Sequence, residues 1–522
     1  MNSRLINTWR FLLRYPVLTF IIIFEIYLIY RAPYYPTLDG HSHIHNANII
    51  KSILFDREPF FSQFYAIQSI YLPNWIFYFI SAPLLLLFSA KHTIFIAYSI
   101  YIVFSTYSFN YFIKQIAPKN QYLSVLIFPF LHTLLLGMGF YNHAFSFVFL
   151  FLGIGFWIKN REQLNWKSVF IMTGIVLLCY LSATLTFLYL GLSLFLINFF
   201  NLEGNEKKFT LGPLLKRQLS LLLICLPALI FFAYFIYKTP FFSSDKKYPF
   251  WELITWIKGF RTLIIYSFEA EGTLVNALAK IYIVMLGYVL LFKIFRSEKK
   301  ITYHHDFILI PLTLSVLLLF FVPDGSSAGM MSFRFLNFIF IFLIMWLAIQ
   351  KYNSIFILSI ISIFCIFHVK LIKKRHDLFI KPLSEHASEM YEASLVIPEN
   401  CIVLPINLSN NWLEKHIDGL LGSERKIVIL NNYESYLGWF PVLKKDQEFN
   451  YYTLSNDDYL DLIVHSKQPF TRVNQNVQAV CVYGETANIQ SAEYNLISQG
   501  LASHYRLAYS SAGNFVHIYL HK

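Results

Sequence analysis

Residues 72–89 read LPNWIFYFISAPLLLLFS. The run is either a full transmembrane span or a helix lying along the membrane surface. The choice sets the side on which every later loop falls. Basic residues arbitrate, because short loops rich in Lys and Arg stay cytoplasmic. Let the N-terminus be cytoplasmic, as Arg4, Arg10 and Arg14 suggest, and let 72–89 be re-entrant or interfacial. The cytoplasmic loops then hold Lys114 and Lys119; Lys159, Arg161 and Lys167; Lys207, Lys208, Lys216 and Arg217; Arg296, Lys299 and Lys300; and Lys351. If 72–89 spans instead, most of these charges land outside, so the non-spanning arrangement is the expectation. Lys370, Lys373, Lys374 and Arg375 dissent, since they follow the last span and would lie outside.

The arithmetic matters because the chain is so apolar. Of 522 residues, 56% are hydrophobic and 14% charged, against about 25% charged in soluble proteins. Repeated apolar runs near 20 residues long point to a polytopic membrane protein, and each run should be a helix, because lipid offers the backbone no hydrogen bonds. Such runs fall near 11–30, 93–113, 122–140, 144–158, 168–183, 184–200, 218–237, 278–294, 306–322, 333–350 and 354–369, about eleven in all. The first has a basic flank but no small-residue cleavage site, so it reads as an uncleaved helix. The formal charge of +12 belongs mainly to the short loops. With no basic helix or nucleic-acid motif, nucleic acid is excluded as a partner.

Composition changes near 383. SEHASEMYEASLVIPEN reads as an amphipathic helix stopped by Pro398. CIVLPI and KIVIL read as buried strands, SNDDYLDLIVHSK carries Ser455 and Asp458 at capping-box spacing, AEYNLISQG is a helix closed by Gly500, and HYRLAYSSAGNFVHIYLHK alternates around a turn. The expected organisation is a mainly α membrane domain over 1–380, with a first outer loop at 31–92, and a small α/β domain over 383–522. Five cysteines make no disulfide framework. Cys401 and Cys481 are expected to be free packing residues.

The chemistry concentrates where the chain first leaves the membrane, in YPTLDGHSHIHNANIIKSIL, residues 35–54. In extended backbone Asp39, His41, His43 and His45 share a face, whereas in a helix His41 and His45 do. A divalent metal is thinkable on such a cluster, with Asp39 and His43 as its ligands. The plainer reading is interfacial histidines that tolerate both water and headgroups. A carboxylate followed by glycine at a helix exit suits general-base work, and the residues after it look like a helix along the membrane surface. Glu25, inside the first apolar run, is a functional candidate by default; snorkelling or pairing with a cation such as Lys280 is the alternative. GFYNHAF places Asn142 and His143 at a tight outer turn. PDGSSAGMMSFRF brings Arg334 in beside free N–H groups, a combination suited to phosphate. The loop 239–277 adds Lys246, Lys247, Lys258 and Arg261, for an anionic headgroup or for solvent.

LDGHSHIHNANIIKSILF, LPNWIFYF, GFYNHAFSF, YLSATLTF and PDGSSAGMMSFRF, in this layout, resemble a poorly characterised bacterial branch of the C-type membrane glycosyltransferase superfamily (GT-C) over residues 1–380. The resemblance implies transfer of a sugar from a polyprenyl-phosphate carrier to a glycan or lipid acceptor at the outer face of a bacterial inner membrane. The N-terminus would be cytoplasmic and the C-terminal domain periplasmic. Asp39 matches the catalytic acid of the first loop; Glu25, His41, His43, His45, Asn142, His143 and Arg334 are the candidate substrate contacts. The second acidic residue common in such enzymes is absent from YNHAF. The rivals are a non-enzymatic lipid or polysaccharide transporter or envelope assembly factor, and a polysaccharide polymerase or ligase.

Overall fold

The computed structural model describes residues 8–9, 11–200, 211–239, 244–295, 303–325, 329–445, 477–491 and 494–522. Of the sequence expectations, Arg4, Arg10, Lys207, Lys208, Arg296, Lys299, Lys300 and the Ser455–Asp458 cap lie outside the described residues. The chain is mainly helical with a few strands. Its contacts divide it into two compact units: Met1–Leu28 with Ser99–Asp377, and Ile29–Tyr98 with Leu378–Lys522.

Among the described residues, five helices are long and apolar enough to cross a membrane: Tyr141–Asn160, Leu211–Lys238, Phe268–Phe295, Met331–Ala348 and Ser354–Ser394. That is fewer than the eleven or so spans expected, and four of the six missing runs have a plain physical reason. Trp166–Ser182, Thr184–Ile197 and Asp306–Phe321 are apolar but shorter, 10–17 residues. Fourteen residues at 1.5 Å each reach only about 21 Å of a core ~30 Å thick. The run 122–140 is not one helix. It breaks into a 3-10 stretch Pro118–Ile127 and the short helices Phe128–Leu131 and Leu134–Gly137. Pro129 lacks an N–H and cannot continue a helix from the preceding stretch; it sits in the first turn of Phe128–Leu131, where that donor has no intrahelical partner to lose. His132 leaves helical geometry at φ −125°, ψ 72°, and Gly139 turns the chain at φ 90°.

In the first unit this irregular stretch is buried, so its polar groups find protein partners, as they must away from water. Tyr282 donates to the Leu126 carbonyl at 2.8 Å. Asn110 donates to the Ser124 hydroxyl and receives a bond from Gln121, each 2.8 Å. Helices Trp166–Ser182 and Thr184–Ile197 are separated by Ala183 alone, in extended backbone at φ −156°, ψ 125°. Asp324 N–H donates to the Lys246 carbonyl at 2.8 Å, and the Asp324 carboxylate accepts from Ser332 N–H at 2.9 Å, capping the following helix.

Among the described residues the second unit has seven strands: β1 Tyr65–Ile67, β2 Cys401–Leu408, β3 Ile427–Ile429, β4 Val442–Lys444, β5 Ala479–Gly484, β6 Tyr505–Ser510 and β7 Val516–His521. β1 and β4 pair with each other, and the rest form one sheet in the order β3-β2-β5-β7-β6. Strand β2 runs parallel to β3 and β5, and β6–β7 is the expected hairpin. Pro405 is tolerated in β2 because β3 pairs only with Cys401–Val403, leaving the proline open on that side. Cys401 and Cys481 are both free and buried. Helix Asn495–His504 runs through Gly500 instead of stopping there, and leads straight into β6. Gly500 and Leu501 are buried, so packing overrides the C-cap signal.

Residues 72–89 also fall in this unit. Their helix is Ile76–Leu84, nine residues, or about 13 Å, far too short to cross a bilayer. Helix Gly40–Leu54 corrects the expectation of a surface helix. Twelve of its fifteen residues are buried, because its polar side chains are matched inside the unit. Asn48 donates to the Gly422 and Arg425 carbonyls at 2.9 and 3.2 Å.

Candidate functional site

The DGHSHIH motif becomes the start of helix Gly40–Leu54, with Asp39 at its N-cap. An N-cap aspartate ordinarily accepts a bond from the first turn. The Asp39 side chain makes no such bond. It receives a hydrogen bond from the Tyr433 hydroxyl, and His416 Nε2 lies 3.8 Å from its Oδ1. The His416 ring stacks on Tyr433 at 4.3 Å. Asp39 is buried, at 5% exposure. Burial, and then the Glu434 charge, push its carboxyl up to about 7.

One helical turn on, His43 faces a second carboxylate. Its Nδ1 lies 2.7 Å from the Tyr78 hydroxyl and 3.0 Å from Glu434 Oε1. Tyr78 donates to Glu434 Oε2 at 3.2 Å, and Asn46 donates to the same oxygen at 2.7 Å. Asn432 donates in turn to Asn46 at 2.7 Å. Asp39 and Glu434 thus bracket His43 and feel each other's charge. The other two histidines pack against glycines. A Cβ on Gly419 would sit 2.5 Å from the His41 carbonyl carbon, and one on Gly422 2.6 Å from the His45 ring. His45 Nε2 pairs with the Ile427 carbonyl at 3.1 Å. Neither His41 ring nitrogen has a hydrogen-bond partner among the described residues. Burial pushes His41 and His45 down to about 4, keeping them neutral.

The metal expectation meets this geometry directly. His43 Nδ1 is occupied by Tyr78 and Glu434, and Asp39 turns toward Tyr433 and His416. Among the described residues no group of three or more His, Cys, Asp or Glu is arranged to hold a metal ion.

These shifts carry opposite signs with pH. Asp39 and Asp418 are both raised from 3.8 to about 7. Each therefore contributes stability that is full below pH ~4 and lost as pH rises through 7. His41 and His45, lowered from 6.5 to about 4, contribute stability present above pH ~6.5 and lost as pH falls toward 4. The two sets offset each other in this window. Asp39→Asn removes an acid-favouring member, so its melting temperature should fall more steeply than the wild type's between pH 7 and 5. Parallel pH profiles in thermal melts would contradict the assignment.

The remaining candidates lie in the first unit, where Phe140 adjoins both His143 and Arg334 and Glu25 stands apart. Asn142 and His143 occupy the first turn of helix Tyr141–Asn160, not a loop. His143 lines a small cavity with Tyr101, Thr133, Phe140, Asn337 and Ile341, and both its ring nitrogens lack a hydrogen-bond partner among the described residues. The Arg334 guanidinium lies over the Phe140 ring at 4.8 Å, and its Nε donates to the Gly329 carbonyl at 3.0 Å. Glu25 is buried and, among the described residues, pairs with no lysine. His368 Nε2 lies 2.7 Å from its Oε1 and His132 Nε2 3.3 Å from its Oε2. The pairing with Lys280 is thus replaced by two histidines.

Glu434, His416, Tyr433 and Tyr78 went unread in the sequence, since their link to Asp39 spans up to some 400 positions. His368 carried a signal: it is ionisable and sits inside an apolar run, as Glu25 does. No protein-family model matches this chain, and no curated protein does.

Proposed function

We propose that the protein is a bacterial inner-membrane glycosyltransferase that moves a sugar from a polyprenyl-phosphate donor to a glycan or lipid acceptor at the outer face. The observation that carries this reading is Asp39. It is an N-cap carboxylate not used for capping, held by Tyr433, with a proton affinity near neutrality. A base of that strength can take the acceptor's hydroxyl proton as the oxygen bonds to the anomeric carbon. The bond from that carbon to the carrier's phosphate oxygen breaks, and polyprenyl phosphate leaves. Arg334, whose side chain makes one hydrogen bond among the described residues, is a candidate anion contact within the first unit.

The topology belongs to the same proposal: N-terminus cytoplasmic, C-terminal segment outside. Two observations support it. The 72–89 run holds only a nine-residue helix. Arg375 is a buried partner of Glu271 at 2.7 Å, so it does not count as a loop charge, and the dissenting cluster shrinks. Cysteines placed at the exposed Lys114 or Lys351 should resist an impermeant thiol reagent in intact cells, while one at the exposed Asn488 should react. The reverse pattern would put Asp39 in the cytoplasm and end this reading.

A transporter or assembly factor remains the second reading, because the buried, broken stretch 118–137 is the kind of backbone that lines membrane pathways. A polymerase or ligase would share the phosphate-lipid donor. Native mass spectrometry separates these classes. A polyprenyl-phosphate sugar retained by the wild type and consumed on adding acceptor supports transfer; retention without consumption supports transport.

A further inference from the structure

The first unit contains a buried ionisable cluster that the proposed transfer does not use. Three separate elements build it: Glu25 from helix Leu18–Arg31, His132 from the break after Phe128–Leu131, and His368 from helix Ser354–Arg375. Their side chains are 0%, 6% and 1% exposed. Each carboxylate oxygen faces one imidazole Nε2, at 2.7 Å for His368 and 3.3 Å for His132. The His368 ring stacks on Phe128 at 5.6 Å, which fixes its plane.

Charge balance decides what this arrangement holds. A buried carboxylate with no compensating charge costs several kcal/mol. Among the described residues, Glu25 has no ion pair with a lysine or arginine. The nearby arginine, Arg375, donates from Nη1 to the His132 carbonyl at 3.2 Å. Its charge is already committed to Glu271, 2.7 Å from Nε. Glu271 in turn accepts from the N–H groups of Tyr266 at 2.5 Å and Ser267 at 2.9 Å. The compensating charge for Glu25 must therefore come from within the cluster. Two added protons would leave a net positive charge facing Arg375, which is also unfavourable.

We propose that Glu25, His132 and His368 form a binding site for one exchangeable proton. The proton rests on an imidazole Nε2 or on the carboxyl. It passes between His368 and Glu25 across their 2.7 Å hydrogen bond, and reaches His132, 3.3 Å from the other oxygen, when the carboxyl rotates. Neighbours of the site in the chain line a small cavity. Tyr101 and Thr133 line the small cavity that also holds His143. Thr133 follows His132 in the chain, and the Tyr101 hydroxyl donates to the Leu131 carbonyl just before it, at 3.3 Å. The ligand is a proton and the site is separate from Asp39, so this inference stands or falls apart from the transferase reading.

The test counts protons on the intact protein in lipid nanodiscs at pH ~8, well above the ordinary histidine value near 6.5. Histidine ¹⁵N spectra report imidazolium, and the infrared C=O stretch reports a protonated carboxyl. His132→Gln and His368→Gln assign the two rings. The expected result is one proton beyond two neutral imidazoles and a carboxylate, and its loss in Glu25→Gln. Two neutral rings beside an ionised Glu25 in the wild type would overturn the proposal, as would two imidazolium ions. Because the count is read on the wild type, a Glu25→Gln variant that fails to fold leaves it decisive.

Discussion

Asp39→Asn should lower sugar transfer by at least ~100-fold, the usual low end for loss of a general base, while folded yield stays at the wild-type level. The substitution is nearly isosteric. The new amide oxygen can still accept from Tyr433, and a neutral group in a buried site costs no desolvation of charge. Glu434 does not replace Asp39, because its oxygens are held by His43, Tyr78 and Asn46. The comparison set is His41→Ala, His43→Ala and His45→Ala. Their rings pack inside the unit, so their cost should fall on folded yield more than on transfer per folded molecule. The measurement is product formed from a polyprenyl-phosphate sugar, normalised to folded protein. Full transfer by Asp39→Asn, or a larger loss per folded molecule in any histidine variant, would remove Asp39 as the base.

The largest stability effect is expected at Arg375. Its guanidinium is 2% exposed, pairs with Glu271, and also donates to the His132 and Leu263 carbonyls. Removing one partner of a buried pair leaves the other charge uncompensated, at about 3–5 kcal/mol. Arg375→Met should therefore melt far below the wild type. Glu271→Gln should do the same, since Glu271 also accepts backbone N–H groups from the 265–267 turn. The double variant should recover part of the loss, because neither charge is then stranded. Thermal melts of the four proteins form the cycle. Strict additivity would mean that the two side chains do not act as a pair.

Much of the secondary structure was legible locally. The hairpin after Tyr505, strand Cys401–Leu408 and the stop before Pro398 all follow from patterns within a few residues of one another. These patterns act through backbone dihedrals and side-chain period, which a short window contains. The misread elements share a cause. The 122–140 run is apolar enough for a span, yet Pro129 and the buried polar partners of its carbonyls let it break. Gly500 carries a stop signal that burial beside Leu501 overrides.

Sequence by itself determined the apolar, mainly helical character of the chain, the polar C-terminal segment, and the two carboxylates to watch, Asp39 and Glu25. Those conclusions need only residue type and spacing, because hydration cost and helix period act locally. Tertiary structure alone decided what each carboxylate meets. Asp39 meets Tyr433 and His416, and Glu25 meets His132 and His368, all from elements far along the chain. It also decided that Arg375 is a buried partner, not a loop charge, and that segment Ile29–Tyr98 clusters with Leu378–Lys522. A buried charge must find a partner across the fold, and hydropathy patterns record that a residue is polar without recording which distant group will satisfy it.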